Sequence, residues 1–196
     1  MAIVVGRAGN LAVAVIALSG CGRIWFDGSG GVGDGDGGLL GNDATAIPAT
    51  VFIEAEDFAA MTMPVTDAWV FRTDVPGYSG TGFMLASPDS STCLEAPLKC
   101  PALSYEYDVA TSGLYNFFVR VYAADAAAET MMFGDEDEVE DPVTATQLGS
   151  WHWVHYNPTA MYFLGAGGHD AVVWMQDGGL RFDAIAISTL ATPPAL

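Results

Sequence analysis

Between Val51 and Phe58 the chain reads Val-Phe-Ile-Glu-Ala-Glu-Asp-Phe, an alternation of period two. That is the period of a β-strand, and it sets Val51, Ile53 and Ala55 on one face and Phe52, Glu54 and Glu56 on the other. Short alternating segments recur to the end of the chain. Strands are predicted over 67–72, 81–86, 103–109, 114–123, 129–133, 151–156, 160–164, 170–175 and 181–188. Leu103, Tyr105, Tyr107 and Val109 alternate with polar residues, and Tyr115, Phe117, Val119 and Val121 share one face of the next strand. Between strands stand Gly, Pro, Asp and Ser, as in Asp74-Val75-Pro76-Gly77-Tyr78-Ser79-Gly80. The best helical period, over 123–128, is short. Many strands at short spacing with Gly-rich turns predict an all-β fold, an antiparallel sandwich or barrel.

The side-by-side carboxylates of Glu54 and Glu56 repel each other. Either they point into water from a solvated edge strand, or something neutralises them, for which a bound cation is the usual means. The acidic run 134–142, with Asp135, Glu136, Asp137, Glu138, Glu140 and Asp141, reads as a solvated loop, with a second, weak cation site as the lesser alternative.

Ahead of the first strand the chain has a different character. Arg7 is followed by an apolar run over 11–18, too short to span a bilayer as a stable helix and typical of a secretion signal. Leu18-Ser19-Gly20-Cys21 resembles a bacterial lipobox, which implies a signal peptide over 1–20 and a lipid-modified Cys21. Gly22 after the Cys, where Asp would mark inner-membrane retention, favours the outer membrane or cell surface of a Gram-negative envelope. Residues 21–43, mostly Gly and Asp toward their end, read as a flexible linker with too little to bury. Gly33-Asp34-Gly35-Asp36-Gly37-Gly38 matches G-x-G-x-x-G, but no strand precedes it and no helix follows to hold phosphate. An EF-hand loop from Asp34 fails as well, because its twelfth position is Thr45.

Residues 44–196 are one domain's worth of chain. Acidic residues outnumber basic ones 24 to 6, which argues against nucleic acid or anionic lipid headgroups as partners. With Cys21 assigned to lipid, Cys93 and Cys100 remain, and in an exported protein they read as a small disulfide loop. Nucleophile patterns fail: Gly77-Tyr78-Ser79-Gly80-Thr81 lacks the closing Gly of G-x-S-x-G and lies between strands. His152 and His155 are three apart in a strand and point to opposite faces, so they cannot chelate one metal. His169 is expected in a Gly-rich turn, in a structural role.

Four blocks, in order over about residues 51–188, carry a resemblance to a known family. Ile53-Glu54-Ala55-Glu56-Asp57-Phe58 resembles the opening strand of the family 6 and family 35 carbohydrate-binding modules. Gly77-Tyr78-Ser79-Gly80-Thr81-Gly82-Phe83 is similar to their second block, and Gly113-Leu114-Tyr115 through Val119-Arg120-Val121 to their Gly-x-Tyr strand with its Arg. Leu164-Gly165 to His169 and then Phe182-Asp183-Ala184-Ile185-Ala186-Ile187 resemble the closing blocks. The resemblance implies a galactose-binding-like jelly-roll β-sandwich whose first and last strands lie together and share a structural calcium. Glu54, Glu56 and Asp183 are then its side-chain ligands, hard oxygens that suit calcium.

Sugars present flat apolar faces edged with hydroxyls, and proteins meet them with exposed rings and a few directing polar groups. Tyr78, Trp151 and Trp153 are the candidate platforms, each tryptophan standing equally well as core, whereas Trp69 and Trp174 lie inside apolar strands and read as core. Where family 6 modules often carry an Asn, two residues before the final-strand Asp, this chain has Arg181. That exchange either removes the usual loop-end cleft or changes its specificity toward an acidic sugar paired with Arg181, unless Arg181 bonds only to Asp177. The sequence thus reads as a calcium-stabilised, non-catalytic polysaccharide- or glycan-binding sandwich on a lipid anchor. The alternative is a structural or protein-interaction envelope lipoprotein with the same fold and no sugar site.

Overall fold

The structure is a computed structural model that describes residues 49–62, 68–87, 100–134 and 139–196, the backbone alone at 139–141. The chain divides into two units, Met1–Asp43 and Ala44–Leu196, and every described residue belongs to the second. The expected signal peptide, Cys21, the linker and Cys93 lie outside the described residues.

Strands follow one another as β1 (Thr50–Glu54), β2 (Ala60–Thr62), β3 (Trp69–Arg72), β4 (Phe83–Ala86), β5 (Ala102–Val109) and β6 (Gly113–Tyr122). They continue as β7 (Thr130–Gly134), β8 (Val139–Thr144), β9 (His152–Tyr156), β10 (Tyr162–Leu164), β11 (Gly167–Met175) and β12 (Arg181–Ser188). No helix occurs among the described residues. A seven-stranded sheet runs β10-β6-β12-β4-β3, with β9 also paired to β6 and β1 also paired to β12. A five-stranded sheet runs β2-β5-β11-β7-β8, and all the strand pairs of both sheets are antiparallel. This is an all-β sandwich, and its first and last strands pair from Thr50 opposite Ser188 to Glu54 opposite Ala184.

The alternation sets which residues meet between the sheets. Tyr105, Leu103, Tyr115, Val119, Phe182, Ile185 and Ile187 form the buried interior, while Glu106 and Asp108 of β5 face water. In β12 the large side chains Ile185 and Ile187 point inward and the small Ala186 outward. Ala186 is nonetheless buried, because Phe52 of β1 and Phe118 of β6 stand directly opposite it on either side. Trp69 and Trp174 are buried, as the apolar surroundings predict, Trp174 in a separate small cluster with Cys100.

Two sequence expectations change, and one strand, β2, was not foreseen. The acidic run yields part of a strand: β8 pairs with β7 and puts Pro142 opposite Met132 at the sheet edge. An edge strand tolerates Pro because its missing N–H has no partner to satisfy, and Val143 anchors β8 in the core. β2 was too short to leave a period. His169 sits within β11, opposite Tyr107, because the strand begins at Gly167 and pairs through both glycines.

Candidate functional site

The end of the sandwich where β1 finishes and β12 starts gathers most of the predicted site residues. A β-bulge in β12, where the register against β6 shifts between Phe182 and Ala184, inserts Asp183. Bulges re-aim side chains, and this one lets Phe182 and Ile185 both reach the core while Asp183 meets Arg120. Asp183 is fully buried. Its backbone carbonyl accepts the Ala55 N–H at 2.8 Å, and Tyr105 donates its hydroxyl to the Ala55 carbonyl at 2.8 Å.

Around this point the 73–82 loop is tied down by side chains far away in sequence. The Ser79 N–H is shared between the two Asp183 oxygens at 3.0 and 3.1 Å. The Ser79 hydroxyl lies 2.7 Å from Glu54 Oε2 and 3.0 Å from Asp183 Oδ2, so its single proton serves one carboxylate at a time. Glu56 Oε1 accepts from the Thr81 N–H at 2.6 Å, the Thr81 hydroxyl at 2.9 Å and the Gly82 N–H at 3.2 Å. Glu56 Oε2 is buried without a hydrogen-bond partner. Arg120 forms an ion pair with Asp183 and donates to the Gly77 carbonyl at 2.9 Å. Trp151 Nε1 closes the loop from the other side, donating to the Pro76 carbonyl at 3.1 Å.

Electrostatics follow from this crowding. Burial, then the charges of Glu56, Asp183 and Asp57, push the Glu54 carboxyl above its usual range against the lowering effect of the Ser79 bond. Burial also raises Asp183, countered by Arg120 and Ser79. The structure therefore brings Glu54, Glu56 and Asp183 to one loop. Among the described residues, however, no three His, Cys, Asp or Glu side chains are arranged to hold a metal ion, and Asp183 is engaged by Arg120. In kind the donors suit a hard cation: all are oxygens, one is orphaned, and Glu54 is crowded by like charge.

Gly80 is where this packing is tightest. Its φ is +60°, and a Cβ there would lie 2.5 Å from Glu56 Oε1 and 2.9 Å from Glu54 Cδ. Gly80→Ala should lose about 1–3 kcal/mol, from left-handed strain and displaced carboxylates, seen as a lower denaturant midpoint. A neutral result would show that the loop is not pressed against the pair.

Beside the carboxylates lies a run of rings. Tyr78 meets Phe83 at 5.9 Å between centroids, Phe83 meets Trp151 at 5.3 Å, and Trp151 meets Tyr122 at 5.4 Å. Guanidinium groups frame them, Arg120 at 5.6 Å from the Trp151 ring and Arg181 at 4.9 Å from the Tyr122 ring.

The fold is that of the family 6 and family 35 carbohydrate-binding modules. The chain is similar to a family 35 module from Clostridium thermocellum, with 16% identity and a TM-score of 0.52 over 71% of this chain and 97% of that one. It is similar to the C-terminal family 6 module of a laminarinase from Zobellia galactanivorans, at 18% identity and a TM-score of 0.52 over 72% of this chain and 100% of that one. It also matches a Podospora anserina β-(1,4)-mannanase carrying a family 35 module, at 20% identity and a TM-score of 0.54 over 74% of this chain. There it spans only 29% of the enzyme's length. No protein-family model and no curated protein matches the sequence.

Within this module fold, Tyr78, Trp151 and Arg181 join one continuous cluster. Trp153 faces the same side as Trp151, both half-buried, but its edge contact is Phe52 at 6.0 Å. Asp177 turns elsewhere: its carboxylate accepts the Thr130 N–H at 3.0 Å, so the alternative of an Arg181–Asp177 pair is not formed. Arg181 instead lies on Tyr122, and its Nε is buried without a partner. Arg120, Ser79, Phe83 and Tyr122 were missed as site residues. Strand alternation could have found Arg120 and Tyr122, which stand opposite the core face of β6; nothing local marks what they touch.

Proposed function

We propose that this chain is a non-catalytic carbohydrate-binding module, stabilised by calcium and tethered to the bacterial cell envelope through a lipid on Cys21. The observation that carries the reading is the convergence of Tyr78, Trp151 and Arg181 beside the carboxylate-bound loop, in the fold of carbohydrate-binding modules. Half-exposed rings supply stacking surface, and hydroxyls take direction from polar groups at their edge. Arg181 favours an acidic sugar, since a uronate carboxylate would pair with a guanidinium otherwise held only by a ring and a distant carbonyl. Calcium would draw on Glu54 and the unpartnered oxygen of Glu56 and supply neutralising charge, while Asp183, the third ligand the sequence suggested, would have to be shared with Arg120. The lipobox-like Leu18–Cys21 supports the tether, and the buried Cys100 supports a disulfide to Cys93.

The test is isothermal titration of the chain carrying Cys21→Ser with calcium and then with neutral and uronic-acid polysaccharides. Binding of an acidic glycan, weakened by Arg181→Ala, is expected. Calcium binding without any glycan signal would move the reading to a structural envelope lipoprotein.

Calcium also has a pH signature. Glu54 and Asp183 have raised folded-state values, so ionising them opposes folding. That penalty is full at neutral pH, shrinks as pH falls through their raised values, and is gone below the ordinary carboxylate range, where both are protonated folded or unfolded. Calcium offsets the penalty, so its effect on Tm should be largest near neutral pH and vanish in acid. Melts with calcium or EDTA across that window check this; no shift at any pH would remove calcium from the proposal.

A further inference from the structure

At the other end of β6, away from Arg120, a cavity of about 220 Å³ opens between the two sheets. Four rings form a closed box in its wall. Phe117 meets Phe133 at 5.6 Å and Tyr162 at 5.4 Å, and Tyr156 meets Phe133 at 4.9 Å and Tyr162 at 5.8 Å. Phe163 stands at the rim and is 72% exposed, whereas Phe71 and Phe52, the other exposed phenylalanines among the described residues, do not line the cavity. Phe163 is thus the lining ring most open to water, beside box rings that are themselves buried or half-buried.

His169 supplies polarity on the facing wall. Its ring stacks on Tyr107 at 5.6 Å, and its Nε2 lies 2.7 Å from the Gly165 carbonyl. A carbonyl only accepts, so in the neutral ring the proton sits on Nε2 and Nδ1 is an acceptor. An aromatic wall, an exposed ring at the entrance and a fixed acceptor are the complement of a ring with one apolar face and hydroxyl edges. A volume of about 220 Å³ accommodates one sugar ring.

We infer that this cavity is a second saccharide site, taking a single terminal pyranose. The class of ligand rests on the carbohydrate reading above; the place does not, since none of the residues of the Arg120 end lines it. With sites at both ends, one chain would bridge two glycan ends and gain avidity on a dense glycan surface.

Saturation-transfer NMR of the Cys21→Ser chain with methyl glycosides of glucose, galactose, mannose and galacturonic acid tests this. Wild type, Trp151→Ala and Phe163→Ala are compared, the last at an exposed position where the melt should not move. At least one glycoside should bind wild type and Trp151→Ala alike and weaken by about tenfold in Phe163→Ala. Binding lost in Trp151→Ala and untouched by Phe163→Ala would overturn the second site and leave the first standing. Absence of any glycoside binding would overturn the second site, while polysaccharide titration separately decides the first.

Discussion

Asp183→Ala should lose about 3–5 kcal/mol of folding free energy, because it removes one partner of a buried ion pair. Asp183 is fully buried and its partner Arg120 is only 12% exposed, so water cannot replace the lost carboxylate at Arg120. The same change strips the acceptor from the Ser79 N–H and leaves the Ser79 hydroxyl to Glu54 alone. The effect should spread along the 73–82 loop, since Arg120 also holds the Gly77 carbonyl. Asp183→Asn keeps an acceptor for Ser79 and should lose less. Chemical denaturation in EDTA reads the effect without calcium. The pairing is checked by adding Arg120→Met to Asp183→Ala, which should cost less than the sum of the single changes. Additive losses, or a loss below about 1 kcal/mol for Asp183→Ala, would show that the loop is held by something else.

Trp151→Ala should weaken glycan binding at the loop end by about 2–4 kcal/mol, the range of an interface hot spot, roughly 30- to 1,000-fold. Trp151 lies between Phe83 and Tyr122, with Arg120 against its ring, and its indole N–H holds Pro76. Its loss therefore removes stacking surface and loosens the loop that carries Tyr78. Because the ring also packs on buried Phe83, the variant should melt earlier, and titration must be done well below its midpoint. Trp151→Phe separates the two contributions: it keeps a ring for the sugar and gives up the Pro76 bond. Trp153→Ala should cost less, because its ring meets Phe52 at 6.0 Å and lies apart from the Trp151 cluster. Unchanged affinity in Trp151→Ala would remove the loop-end platform.

Much of the fold was legible because period two is a local property. The strand expected over 181–188 is β12 to the residue, and those expected over 103–109 and 114–123 are β5 and β6 within one position at their ends. Boundaries failed where pairing, not composition, extends a strand. Gly167 and Gly168 have no strand preference, yet they lie in β11 because β5 runs alongside and completes their hydrogen bonds. Val139–Thr144 is a strand because β7 offers an edge, and a run of acidic residues hid it.

By itself the sequence determined the all-β class, the inward and outward faces of the main strands, and the paired carboxylates of Glu54 and Glu56. It also named Asp183, Tyr78, Trp151 and Arg181 as chemistry without saying what they would touch. Tertiary structure decided the partners: that Arg120 takes Asp183, that Ser79 joins it to Glu54, and that Arg181 rests on Tyr122 and not on Asp177. It also decided that four rings from β6, β7, β9 and β10 close a box. The physical reason is range: alternation acts between neighbours two residues apart, whereas each of these contacts is fixed only when distant strands are brought into register.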